Sequence, residues 1–224
     1  MDNLKEDNEM TPCIDNYRDL PLGVYLDILD ANSDESRDEV EKQAATLALL
    51  SGMTEKAVLD LPIADYTALV RKASFIYHPM PRIPRAARSY KAGAFTLRAQ
   101  TDLRKINAAQ YIDFKTFAPE GDARLVELLS VILIPDGCSY NDGYDIAEVQ
   151  DAIRENISVE QAVSLAAFFL TRFAALIRST RTSLSRLEKR ERNPERKARV
   201  REQMARLTAE TEALLTGLGA GSPA

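Results

Sequence analysis

Apolar residues crowd more densely between Ile106 and Asp145 than anywhere else in the chain. Within that stretch Leu125, Leu128, Leu129, Ile132 and Leu133 recur at helical intervals after the breaker Pro119-Glu120-Gly121-Asp122, and Pro135-Asp136-Gly137 closes the run. This spacing predicts a buried helix. Just upstream, Ile106, Tyr111, Ile112, Phe114 and Phe117 form a second apolar segment behind Asn107, a residue suited to cap a helix N-terminus. Two such helices need other elements to cover them, so the stretch reads as the hub of the fold.

Elsewhere the pattern is almost entirely helical. Residues 1–20 are polar and acidic, without sustained periodicity, and are expected as a mobile arm. A short apolar run through Val24, Leu26, Ile28 and Leu29 ends at Asn32-Ser33-Asp34. Ser33 or Asp34 is then placed to cap a helix reaching about Leu50, with Gly52 as its C-cap. Thr54-Glu55 restarts a short helix, and Pro62 opens another whose inner face carries Tyr66, Leu69 and Val70. The three prolines of His78–Arg88 mark a linker. Around residues 90–106, Phe95 and Leu97 alternate with Thr96 and Arg98 before a polar Gln100-Thr101-Asp102 turn, which predicts a small β-hairpin. Asp145 starts a helix carrying Ile146, Val149 and Ile153.

Ser158 and Gln161 form a capping-box pattern at the head of the longest helix. From there Val163, Ala166, Leu170, Phe173, Ile177, Thr180, Leu184 and Leu187 step by threes and fours, the spacing of a heptad seam. Asn193-Pro194 interrupts it, and Val200, Met204, Leu207, Thr211 and Leu214 resume the same spacing in another register. A coiled-coil-like helical hairpin follows, with arms of very roughly 45 and 30 Å at 1.5 Å per residue. The expected fold is therefore mainly α. A helical core domain spans 21–157 with the β-hairpin inserted, a long C-terminal helical hairpin spans 158–216, and a mobile small-residue tail spans 217–224.

Composition adds that 45% hydrophobic residues in 224 suffice for an ordinary core and exclude a disordered chain. Charge is segregated: Met1–Asp60 is acidic, whereas Arg172–Arg206 holds twelve Lys and Arg against four Glu. Cys13 and Cys138 are the only cysteines, so no disulfide framework or thiolate-rich metal site is expected and a reducing compartment is the default. The N-terminus lacks the basic start and apolar core of a signal peptide, and no run approaches the roughly 20 apolar residues of a membrane span. A cytosolic protein is expected, or part of a particle assembled in the cytosol.

Catalytic chemistry finds little support. The acidic, glycine-bearing loop 136–148 invites a calcium reading, but with Gly143 at the turn position Val149 falls where the bidentate Glu of an EF-hand belongs. His78, the single histidine, lies in the proline-rich linker away from any acid or nucleophile in sequence. There is no glycine-rich phosphate loop, GxSxG or HExxH, so no catalytic, cofactor or metal residues are assigned. The basic series fits a protein partner or self-association, phosphate neutralisation on nucleic acid, or a solvated face; aromatics that would stack on bases are absent after Phe173. The expected interaction surface comprises the apolar Leu170, Phe173, Ile177 and Leu184 and, on the second arm, Arg196, Lys197, Arg199, Val200, Met204 and Leu207.

Three stretches carry a family resemblance: Leu47–Ile76 (LALLSGMTEKAVLDLPIADYTALVRKASFI), Ile106–Phe117 (INAAQYIDFKTF) and Leu128–Asp145 (LLSVILIPDGCSYNDGYD). In them, and in the order of its segments, the chain resembles phage and prophage tail assembly chaperones over roughly a third of its length. The resemblance implies a mainly helical, non-enzymatic protein that keeps a long apolar tape-measure protein soluble during tail assembly. It would act in the cytoplasm of a bacterial host, or within the phage particle, beside other phage structural proteins. The family supplies no catalytic residues, and the basic C-terminal hairpin is not among its features. That hairpin leaves a scaffolding role or a nucleic-acid-binding accessory role open.

Overall fold

The computed structural model describes residues 13–219 of the chain. Its order is α1 (Leu22–Ser33), α2 (Glu39–Ser51), α3 (Glu55–Leu59), α4 (Ile63–Ala73), β1 (Ser89–Ala92), β2 (Phe95–Ala99), α5 (Ala108–Phe117), α6 (Leu125–Ile132), β3 (Leu133–Pro135), α7 (Ile146–Asn156), α8 (Val159–Arg190) and α9 (Pro194–Gly219). The fold is mainly helical, with one small three-stranded antiparallel sheet and long helices at the C-terminal end.

The hub is α6, in which every residue except Glu127 is buried. Around it pack α5, α7, the sheet and the first half of α8, joined by an aromatic contact in which the Phe114 ring meets Phe169 at 4.8 Å and Phe173 at 5.0 Å. Ring pairs at this separation add to the burial energy of each side chain. The polar Gln110 is accommodated in this core because its side-chain amide donates to the Val131 carbonyl at 2.7 Å. A second core gathers α1 to α4 around Ile28, Leu47, Leu50, Val58 and Leu69. Helix α1 joins the two, with Leu22 in the first and Ile28 in the second.

Local signals act where they were read. Asn107, Asp145 and Thr54 cap α5, α7 and α3 through their side chains, and Ser158 and Gln161 form a reciprocal capping box on α8. Gly52 closes α2 at φ +68°, a conformation available to glycine without a Cβ penalty. Asn193 accepts from Glu195 N–H at 2.9 Å ahead of Pro194.

Elsewhere the structure departs from the expectations. The cap of α2 is Asp38, exchanging hydrogen bonds with Glu41 in a capping box, rather than Ser33 or Asp34. Helix α1 runs through Ser33, and the Asp34 carboxylate is engaged in a turn by Ser36 N–H at 2.9 Å and by the Ser36 hydroxyl at 2.6 Å. The β-hairpin exists, but its turn is Gly93-Ala94, with Gly93 at φ +55° and Ala92 opposite Phe95. Past Gln100 the chain does not return as a strand. Instead β3, expected as the end of the α6 helix, pairs with β2 through Leu97↔Pro135 and Ala99↔Leu133. Of the arm expected over residues 1–20, residues 1–12 lie outside the described residues, whereas Cys13–Leu20 pack onto the body. Ile14 N–H donates to Leu50 O at 2.9 Å, the Tyr17 hydroxyl donates to His78 O at 2.9 Å, and Leu20 is fully buried. Of the expected tail, residues 220–224 lie outside the described residues, as do the side chains of Thr211 and Leu214.

Candidate interaction surfaces

The heptad seam of α8 is shifted by one residue over its first turns and meets the expected positions at Phe173 and Ile177. The buried residues are Val159, Ala162, Ser164, Leu165, Phe169, Phe173 and Ile177, so Val163, Ala166 and Leu170 lie only half-buried beside the seam. Apolar residues occupy both phases in this stretch, and the larger Phe169 ring wins the core position by packing on Phe114. Phe173 and Ile177 are core residues and present nothing to a partner.

Beyond Ile177 no residue of α8 is buried. Leu184 is half-buried, Leu187 is 56% exposed, and α9 runs back along α8 with Val200, Met204 and Leu207 half-buried. Leu207 reaches the main core, while Glu188 and Arg201 pair across the two arms at 2.6 Å. The tip of this hairpin is cationic. Arg186, Lys189, Arg190, Arg192, Arg196 and Arg199 are exposed and Lys197 is half-buried. Thus the structure brings Leu184, Val200, Met204, Arg196, Lys197 and Arg199 onto one projecting element, and leaves Leu170 nearer the body.

Sequence reading missed a second surface. An open cleft of about 630 Å³ lies among α1, α2 and the α2–α3 turn, with Ala45, Ala48, Leu49 and Met53 among its apolar lining residues and Asp27, Asp30, Asp34 and Glu55 among its charged ones. Arg37, also in the lining, pairs with Glu55 at 2.9 Å and Asp34 at 3.5 Å, and Arg154 pairs with Asp27. Among the described residues no cation pairs with the Asp30 carboxylate, which is exposed. The wider segment 27–41 carries seven carboxylates and one arginine. The only sequence signal for this surface was its acidity; its concavity arises from how α1 meets α2.

Two of the charged groups at the cleft are held more firmly in their charged forms. Hydrogen bonds from the Ser36 hydroxyl and N–H hold the Asp34 carboxyl below the usual carboxylate range, and Glu55 holds the Arg37 guanidinium above its ordinary value. His78 is exposed and far along the chain from the cleft lining. Among the described residues no group of three His, Cys, Asp or Glu is placed to hold a metal ion.

Helix α8 is long and apolar enough to cross a membrane by length and composition, contrary to the expectation that no run approaches this. The uninterrupted apolar run is short, but residues 159–176 carry only Glu160 and Arg172 as charges. The side chains that create this signal include Leu165, Phe169 and Phe173, which the core takes up.

Fold and surfaces together define a mainly helical protein with two charged surfaces of opposite sign, one concave and one projecting. Comparison with protein-family models, curated proteins and solved structures gave no match.

Proposed function

We propose that this is a non-enzymatic assembly protein of the phage tail chaperone kind, holding a tape-measure-type client through the helical surfaces of its α8–α9 hairpin. The observation that carries the reading is that α8 continues past its last core residue, Ile177, for thirteen residues to Arg190 without burying one of them. A helix extended out of a core exposes apolar area at a free-energy cost unless another surface covers it. Leu184, Leu187, Val200 and Met204 supply apolar contacts at helical spacing, suited to an amphipathic client helix. The test is co-expression with a tape-measure-type protein. The client is expected to stay soluble and co-purify, and Leu184→Glu with Leu187→Glu to release it; a client that aggregates equally with and without this protein overturns the reading.

The cation excess of the hairpin favours one other reading, a nucleic-acid-binding accessory protein. Phosphate contacts would make binding fall steeply with salt and would be lost on charge reversal at Arg196, Lys197 and Arg199. DNA and RNA binding measured across a salt series separates the two.

A further inference from the structure

The chain's charge is strongly bipolar. Residues 172–206 carry a net +8 from twelve cations and four carboxylates, so the rest of a chain with net charge −5 carries −13. The positive part ends in the exposed tip of the hairpin, and the densest negative segment is residues 27–41, of which Asp27, Asp30 and Asp34 line the cleft beside Arg37. These are opposite in sign, one carried on a projecting end and the other beside an open hollow.

We infer that the protein self-associates head to tail, the basic tip of one copy's α8–α9 hairpin docking in the acidic α1–α2 cleft of the next. The tip does not serve its own cleft. Helix α8 is continuous and anchored in the core to Ile177, so the tip at Arg190 is held roughly 20 Å beyond the last core residue at 1.5 Å per residue. Among the described residues no ion pair joins the tip to Asp27, Asp30, Asp34 or Glu55.

Nucleic acid is the weaker occupant of the tip, because the remaining −13 repels a polyanion and no aromatic residue follows Phe173 to stack on bases. In the cleft, Ala45, Ala48, Leu49 and Met53 offer apolar surface to the aliphatic stems of arginine and lysine, while Asp30 and the carboxylate oxygens not taken by Arg37 and Arg154 meet their heads. Because the two surfaces differ, the contact is heterologous and does not saturate at two copies; it grows into a ring or an open chain. The inference does not depend on the client reading, since it needs no client.

The test is sedimentation velocity of the full chain over a concentration series at low and high salt. Wild type is expected to grow beyond a dimer at low salt and to dissociate at high salt, as exposed charges are screened. Arg196→Glu with Lys197→Glu and Arg199→Glu removes the tip, and Asp30→Lys with Asp34→Asn removes the cleft; each variant alone is expected to stay monomeric with unchanged helicity. Mixed together, they retain one good tip and one good cleft and are expected to stop at a one-to-one pair. Wild type that stays monomeric at low salt overturns the inference. So does association untouched by either set of substitutions, or a tip that binds DNA or RNA while the chain remains monomeric. Client capture that persists in both monomeric variants would leave the assembly-protein reading standing on its own.

Discussion

Helix α8 is one uninterrupted element with two unlike halves. From Val159 to Ile177 it inserts Ala162, Leu165, Phe169, Phe173 and Ile177 into the main core; from Arg178 to Arg190 it buries nothing. The backbone is equally helical in both, so helicity itself does not report where the globular body ends. The halves differ in what surrounds them. The first is held by α5, α6 and α1, whereas the second has α9 beside it and charged side chains facing solvent. The lesson is that the same secondary structure serves as core beam in one half and as a presented surface in the other.

The largest expected effect tests the beam. Phe173→Ala removes a ring packed 5.0 Å from Phe114 and should destabilise the body by about 3–5 kcal/mol, whereas Leu187→Ala in the exposed half should change stability by no more than about 0.5 kcal/mol. Urea unfolding of the two variants measures the contrast, and equal losses would dissolve it.

Next comes a proline in the exposed half. Ser183→Pro breaks the helix locally at about 3 kcal/mol, but because this half contributes nothing to the core, circular dichroism should report lost helicity while the main unfolding transition stays in place. A fall in that transition comparable to Phe173→Ala would show that the hairpin is part of the cooperative unit.

Smaller is the capping box where the beam begins. Ser158→Ala frees the Gln161 N–H and should cost about 1 kcal/mol in the same denaturation experiment. Smaller still is an effect at Asp122, in the 118–124 turn against which α9 lies. Burial raises this carboxyl above its ordinary value. Its contribution to stability is therefore present in acid and is lost as pH rises from the ordinary carboxylate range through the raised value. Asp122→Asn should raise Tm slightly at neutral pH and flatten that part of the stability–pH curve; a fall in Tm at neutral pH would contradict it. Least of all is the ion pair along the exposed half. Arg201→Ala, with Glu188 2.6 Å away, should change stability by no more than about 0.5 kcal/mol because the arginine is largely solvated.

The legible parts of the fold were those encoded within a few residues. Asn107, Asp145, Thr54 and Ser158 capped the expected helices because a cap hydrogen bond joins groups two or three positions apart. Asp38 was overlooked in favour of Ser33 or Asp34, since Ser and Asp both cap well and only the local turn at Ser36 decides among the three positions. The strand Leu133–Pro135 was illegible because three apolar residues after a helix acquire strand character only from β2, more than thirty positions upstream. For the surfaces, the cationic tip was legible as a charge pattern around Asn193-Pro194, while the cleft was not, because Asp30 and Met53 share it only once α1 and α2 have packed. The phase of α8 was legible at Phe173 and Ile177 and missed before them for a related reason: two apolar stripes satisfy the same period there, and Phe114 chooses Phe169 over Leu170.

By itself the sequence determined that the chain is mainly helical, where most helices begin, that its densest apolar stretch lies between Ile106 and Asp145, and that its charge is polarised toward the two ends. These follow from periodicity, capping chemistry and composition, all of which are local or summed quantities. Tertiary structure alone decided which stripe of α8 faces inward, that Ile177 is the helix's last core residue, that β3 completes the sheet, and that acidic residues surround a hollow. Each of these depends on which distant surface a segment meets, and that is fixed by the packing of whole elements against one another rather than by the spacing of residues within them.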